Sequence, residues 1–318
     1  MPSSTTSPLD ETPLTETPLD QTPLDQTPLD DAALAASLDG GFTSHHADVN
    51  GTRLHYVEGG RGEPLVLLGG WPQTWWQWRK VLPALAARHR VIAVDLRGMG
   101  GSAKPATGYD KKTLARDIHA LVGRLGIASA HVVGHDIGAM VAYAFAANHP
   151  EATRKIALLD VSHPEESWAR QTLLPRQGQR HKWWFAFNQV HGLPEQLLAG
   201  RFHLLLDWLF ENAAADPGSV DAHARAVYAR AYEAPEAVRA ANDWYRTFTR
   251  DIADLAAYAP VTAPVLALGG EYSNYESLVT AVPALGTDTR VVRVDGSGHY
   301  LPEERPEVVI EELTRFLG

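Results

Sequence analysis

Five residues, Gly134-His135-Asp136-Ile137-Gly138, follow an apolar run and open an alanine-rich one. Glycines on both sides of one reactive residue permit a sharp turn that lifts its side chain above a sheet. The pattern is a nucleophile elbow with aspartate in the reactive place. A helix starting just behind it would offer backbone N–H groups and a positive dipole end to a carboxylate or an oxyanion. A partner base is expected late in the chain, and Gly296-Ser297-Gly298-His299 follows the last strand-like run. His299 is the candidate base, and His135 is expected to shape the elbow. An acid should orient His299. Asp160 ends one apolar run and Glu271 follows another; Ser273 stands where an aspartate would be expected. Asp160 is the preferred acid and Glu271 the alternative. Gly69-Gly70-Trp71-Pro72 follows an earlier apolar run. Its Trp71 N–H, with that of Ile137, would form an oxyanion hole. Each piece alone has a plainer reading as a turn or a helix cap.

These groups need a scaffold that brings distant segments together. The stretch up to Asp48 and Thr52–Glu58 read as strands around Asn50-Gly51, a type I′ hairpin signal. Pro64–Leu68, Arg90–Val94, His131–Gly134, Lys155–Asp160, Pro264–Leu268 and Arg290–Val294 are short apolar runs, as expected of strands buried on both faces. Helical spacing alternates with them at Trp75–Ala87, Lys112–Leu125, Gly138–His149 and Pro306–Phe316. The alternation predicts an α/β fold with a doubly wound, mostly parallel sheet. It breaks between about Ser162 and Ala259, where Ala, Leu, Trp, Tyr and Arg suggest helices only. An insertion there would sit as a lid over the carboxyl ends of the strands.

The first thirty residues repeat Thr-Pro-Leu every five positions, a period that fits neither helix nor strand. The expected organisation is therefore a low-complexity tail over 1–40, a core over 41–161 and 260–318, and a helical cap over 162–259. Folded sequence is expected from near Phe42.

Composition narrows the chemistry. The 318 residues carry 28 Lys plus Arg and 38 Asp plus Glu, a net charge of −10. That balance disfavours nucleic-acid and anionic-membrane partners. No apolar run is long enough for a transmembrane helix. The N-terminus has no basic start and no apolar stretch, so a cytoplasmic chain is expected. With no cysteine there is no thiol nucleophile, disulfide or thiolate metal site. No metal cluster and no phosphate loop is apparent, so no cofactor is expected. The nine tryptophans fall in two groups: Trp71, Trp75, Trp76 and Trp78, then Trp168, Trp183, Trp184, Trp208 and Trp244. That clustering suggests an aromatic pocket shared by two parts of the chain, or a packing seam.

From about residue 42 to 318 the chain resembles the α/β-hydrolase superfamily. Within it, the chain looks like the branch of epoxide hydrolases and haloalkane or fluoroacetate dehalogenases. The matching pieces are Gly69-Gly70-Trp71-Pro72, Asp95-Leu96-Arg97-Gly98-Met99-Gly100-Gly101-Ser102, the Gly-His-Asp elbow and the late Gly-Ser-Gly-His. Gly69 departs from the family's usual His, yet leaves the Trp71 N–H in place. The resemblance implies an eight-stranded sheet and an aspartate nucleophile. Asp136 would attack an sp³ carbon, and His299 would activate water to cleave the resulting ester.

The leaving group divides the branch. Ile137 lacks the side-chain donor that haloalkane dehalogenases carry after the nucleophile. Ile137 and Met140 stand where fluoroacetate dehalogenases carry carboxylate-binding arginines. Tyr245 resembles the lid tyrosine that protonates an epoxide oxygen. Trp183 or Trp184 stands where a second tyrosine is common, and resembles a halide-binding tryptophan. The expected function is an epoxide hydrolase acting on a bulky, apolar, aromatic small molecule with water as co-substrate. A dehalogenase is the alternative in the same class, and a non-catalytic binding protein the alternative in another. A homodimer is left open.

Overall fold

The computed structural model describes residues 29–170 and 182–318. The Thr-Pro-Leu repeats up to residue 28 and the cap residues 171–181 lie outside the described residues. Eight strands form one sheet: β1 (Thr43–Val49), β2 (Thr52–Gly60), β3 (Glu63–Leu68), β4 (His89–Val94), β5 (Ala130–His135), β6 (Thr153–Leu159), β7 (Val265–Gly270) and β8 (Thr289–Val294). Their order is β1-β2-β4-β3-β5-β6-β7-β8. β2 is antiparallel to β1 and β4, and every other pairing is parallel. Asn50 and Gly51 both have positive φ at the β1–β2 turn, as a type I′ hairpin requires. Strands β5 and β7 are buried throughout, which explains the apolar runs Val132-Val133 and Val265–Leu268 at their hearts. The edge strand β8 is mostly half-exposed or exposed and carries Arg290 and Arg293, which discourage pairing with another sheet.

The core helices are α1 (Asp31–Ala36), α2 (Leu82–Ala86), α3 (Lys111–Arg124) and α4 (Ile137–Asn148). Ten consecutive residues of α4, Ile137 to Ala146, are buried. Its alanines let it lie close against the sheet behind the elbow. Six helices follow β6: α5 (Trp183–Phe187), α6 (Leu193–Leu198), α7 (Phe202–Ala213), α8 (Ala222–Ala231), α9 (Pro235–Arg246) and α10 (Phe248–Ala257). They form the cap. Among the described residues the chain makes no sheet strand between β6 and β7. The core resumes with β7, α11 (Tyr275–Ala281), β8, α12 (Leu301–Glu304) and α13 (Pro306–Leu317). No helix among the described residues is long and apolar enough to cross a membrane.

Two expectations need correction. Ordered structure begins before Phe42: Asp30 caps α1, and Leu34 and Ala35 are buried against the core. The predicted helix over Trp75–Ala87 is instead a 3₁₀ turn at Trp75–Trp78 followed by α2. Thr74 caps the turn and Pro83 sits in the first turn of α2, so one helical period hides two short elements.

The cap is fastened to the core at several buried points. The Lys111 ammonium, fully buried, donates to Asp251 Oδ2 at 2.8 Å, to Thr247 Oγ1 at 3.1 Å and to the Trp244 carbonyl at 2.6 Å. Trp244 Nε1 donates to the Arg97 carbonyl at 3.0 Å. The Tyr232 hydroxyl donates to the Gln73 carbonyl at 2.9 Å. Glu303 accepts from Tyr228 at 2.7 Å and pairs with Arg79.

Candidate active site

The elbow owes its shape to contacts that only glycine permits. A Cβ on Gly134 would stand 2.0 Å from the Gly138 carbonyl oxygen, and one on Gly138 would stand 2.1 Å from that of Leu68. Strand, turn and helix therefore close up on each other, and Asp136 adopts φ 54°, ψ −120°. A left-handed aspartate is a strained position that the surrounding packing must hold. Gly70 has the same role from the neighbouring loop, since its Cβ would meet Asp136 Cβ at 2.4 Å.

This geometry delivers the Asp136 carboxylate to its partners. The Trp71 N–H donates to Oδ1 at 2.9 Å. The backbone N–H of Ile137 is near enough to the carboxylate to favour its charged form. His299 Nε2 stands 3.6 Å from Oδ2. Burial raises the Asp136 pKa, but the bond and charge of His299, with His135 and the Ile137 N–H, outweigh it and hold it below the usual range.

His299 Nδ1 lies 2.6 Å from Asp160 Oδ2. A carboxylate only accepts, so Nδ1–H donates and Nε2 is left facing Asp136. Asp160 has φ 63° at the end of β6. It also accepts from the Gly270 N–H at 3.0 Å, the Asn274 N–H at 3.3 Å, Asn274 Nδ2 at 3.0 Å and the Ser273 hydroxyl at 2.6 Å. Ser273 thus occupies the region where an acid was expected and supports the acid instead. Glu271 accepts from the Gly296 N–H at 2.8 Å and holds the turn before His299. Burial opposes the imidazolium of His299, but the bonds and charges of Asp136 and Asp160 prevail and raise its pKa to about 10. His135 Nε2–H donates to the His299 carbonyl at 2.8 Å. Burial, aided by the charge of His299, lowers the His135 pKa to about 4, so it is neutral there.

Two residues of the cap helices, Tyr245 and Phe202, reach Trp71 beside Asp136. The Tyr245 ring meets the Trp71 ring edge-on at 5.4 Å, and Phe202 meets Trp71 at 6.4 Å. Burial first, then the charge of Asp136, push the Tyr245 pKa well up, so its hydroxyl keeps its proton. The Trp184 side chain lies beside that hydroxyl and acts against the rise. Trp183 packs on Phe187 at 5.5 Å and Trp208 at 5.3 Å. Among the described residues the two tryptophan groups meet through Tyr245, which Trp71 contacts from one side and Trp184 neighbours. Trp75, Trp76, Trp78 and Trp244 are packing residues of the core and the cap seam. Of the first group only Trp71 reaches Asp136, and of the second only Trp184 reaches Tyr245.

From sequence alone Gly70, Ser273, Asn274 and Glu304 had no role. The first lay inside a motif already singled out, Ser273 is the very position where an aspartate was expected, and Asn274 follows it. Glu304 gave no signal beyond its spacing from His299.

The α/β-hydrolase fold family model matches residues 63–306. The chain is 35% identical over 287 residues to the soluble epoxide hydrolase of Corynebacterium sp. (strain C12), covering 87% of this chain and 97% of that one. It is 29% identical over 294 residues to a fluoroacetate dehalogenase of Burkholderia sp., covering 87% and 94%. The solved structure of Cfl2 from Burkholderia cenocepacia superposes with a TM-score of 0.81 at 36% identity, covering 87% of this chain and 96% of that one. Sheet order, elbow, cap and these likenesses agree: the chain belongs to the α/β-hydrolase family and is a hydrolase.

Proposed function

We propose that the protein is an epoxide hydrolase that opens an epoxide to a vicinal diol through an ester on Asp136. One observation carries this reading. An ionised, buried Asp136 has one oxygen held by the Trp71 N–H and the other facing His299, beneath a protonated cap tyrosine. Likeness to a protein named soluble epoxide hydrolase supports it.

In this mechanism Oδ2 attacks an epoxide carbon and the carbon–oxygen bond breaks. Tyr245 gives its proton to the departing oxygen, with the Trp184 indole N–H polarising it. Esterification removes the charge of Asp136, one of the two carboxylates that keep His299 protonated. His299 then sheds its Nε2 proton, which returns through solvent to the Tyr245 phenolate, and becomes a neutral base. Nε2 takes a proton from water as the water oxygen bonds to the ester carbonyl carbon. The oxyanion rests on the Trp71 and Ile137 N–H groups. Collapse expels the diol oxygen, which takes the carboxyl proton. Asp136 is again a carboxylate and His299 again an imidazolium. Asp160 holds the ring throughout. Aromatic surface from Trp71, Phe185 and Phe202 around Tyr245 favours an apolar, aromatic epoxide.

A single turnover of styrene oxide in ¹⁸O-water tests the reading. Heavy oxygen in the Asp136 peptide is expected. Label in the diol alone would mean direct attack by water and would overturn it. The second reading is a dehalogenase, favoured by Trp184 beside Tyr245 and by the Burkholderia relative. Halide release from a chlorinated or fluorinated acid, with no diol from epoxides, would select it.

A further inference from the structure

Glu304 is a buried carboxylate outside the reacting groups, and it grips the loop that carries His299 on both sides. Its Oε2 accepts from the Gly298 N–H at 2.8 Å, and its Oε1 accepts from the Tyr300 N–H at 2.8 Å. Oε2 also accepts from the Ala215 N–H, in the cap, at 2.6 Å. The backbone N–H of His299 itself donates to the Ala213 carbonyl, at the end of α7, at 2.9 Å. Three consecutive amides, 298 to 300, are thus fixed by one carboxylate and one cap carbonyl. Gly298 is pressed against the same cap segment: a Cβ there would meet the Ala213 oxygen at 2.4 Å and Ala215 N at 2.5 Å. The other end of α7 holds Phe202, which touches Trp71 beside Asp136.

We propose that Glu304 is a positioning residue that sets the His299 imidazole against Asp160 and Asp136 and joins that setting to the seat of α7. Bonds from N–H groups to a carboxylate are charge-assisted and roughly twice as strong as neutral ones, so three on one side chain leave the loop little freedom. His299 must reach two carboxylates at once, at 2.6 Å and 3.6 Å, so a shift in its backbone degrades both contacts. The kinetic part of the proposal rests on the aspartyl-ester reading; the positional part does not.

The test compares Glu304→Gln with Glu303→Gln. Glutamine at 304 keeps the shape but turns an NH₂ group toward backbone N–H groups. Glu303 neighbours it on the same helix, is equally buried, and bonds Arg79 and Tyr228 rather than the histidine loop. Proton and ¹⁵N NMR on histidine-labelled enzyme reads the ring directly. In Glu304→Gln the downfield Nδ1–H signal of His299 is expected to weaken, and its pKa to fall toward the ordinary value. The His55 signal, from the bond to Asp95, serves as internal control. Glu303→Gln is expected to lower the melting temperature with the His299 signal unmoved. With styrene oxide, Glu304→Gln is expected to cut ester hydrolysis about 100-fold, the scale of a small misplacement of a reacting group. Ester formation should change much less, so the Asp136 ester should accumulate. If wild type forms no ester, the epoxide reading fails, and the NMR result still decides the role of Glu304. An unmoved His299 signal in Glu304→Gln overturns the proposal. So does an equal loss of both kinetic steps together with a lowered melting temperature. Should Glu304→Gln not fold, Glu304→Asp, too short to span all three amides, is expected to give the same signature.

Discussion

Asp160 Oδ2 and His299 Nδ1, 139 residues apart in the chain, lie 2.6 Å apart in the fold. The same carboxylate collects four further donors from the end of β7 and the loop after it. The orientation of the imidazole is therefore set from two strands at once. Glu271, in that same loop, makes its bond to a backbone amide instead.

Substituting each acid should separate them. Asp160→Asn is expected to form the Asp136 ester yet hydrolyse it about 10³- to 10⁴-fold more slowly, as when the acid of a Ser-His-Asp triad is neutralised. Glu271→Gln should retain most of its hydrolysis rate. Mass spectrometry of the trapped ester, with stopped-flow rates, makes the comparison. Ester accumulation in Glu271→Gln alone would reverse the assignment.

Tyr245→Phe should slow ester formation about 10²- to 10⁴-fold, the range for losing a general acid. Trp184→Phe removes a donor beside that hydroxyl and should have a smaller effect in the same step. Trp183→Phe removes packing on Phe187 and Trp208 and should leave the pre-steady-state rate near wild type.

Stability should decline on both sides of a maximum near pH 6.5. His299 has a pKa of about 10 in the fold against an ordinary 6.5, so its contribution is complete below 6.5 and disappears as pH rises through 10. His135 is shifted the other way, to about 4 by burial, as is His163. Each is neutral in the fold while the unfolded chain takes up a proton, so stability falls as pH drops from 6.5 toward 4. Melting temperatures across pH 4–10 would show this. His299→Gln should flatten the alkaline limb and leave the acid limb intact.

Gly70→Ala is expected to destabilise the protein by about 1–3 kcal/mol, the usual cost of overpacking. The added methyl would meet Asp136 Cβ at 2.4 Å, so activity should fall further than stability alone explains. Urea unfolding and steady-state rates on one preparation give both quantities.

Lys111→Met should be costlier. It strips the partner from Asp251, which is fully buried, and breaking a buried ion pair from one side typically costs about 3–5 kcal/mol. The double variant Lys111→Met/Asp251→Leu should recover much of that loss in denaturant titrations.

Much of the sheet was legible because parallel strands buried on both faces must be apolar along their whole length. Val132–Val133 and Leu266–Leu268 announce themselves that way. The elbow was legible because glycine is required on both sides of the aspartate. Periodicity could not divide Trp75–Ala87, since a 3₁₀ turn and an α-helix of four and five residues leave the same apolar trace. It also missed α1, whose Asp31 bonds the Trp75 indole 44 residues away at 2.7 Å. Counting tryptophans overstated a shared pocket, because Trp75, Trp78 and Trp244 are fully buried in packing. Glu304 and Ala215 meet across 89 residues through tertiary contact alone, and no local pattern encodes that.

The attachments between cap and core have a consequence for engineering. Lys111, Glu303 and Glu304 are core residues whose buried charges find partners on Asp251, Tyr228 and Ala215 of the cap. Removing the cap helices to make a smaller, more open catalyst would expose those charges and cut the histidine loop loose at Ala213 and Ala215. The helical layer is not a detachable accessory. Exchanging it with that of a relative would require transplanting the core side of each attachment along with it.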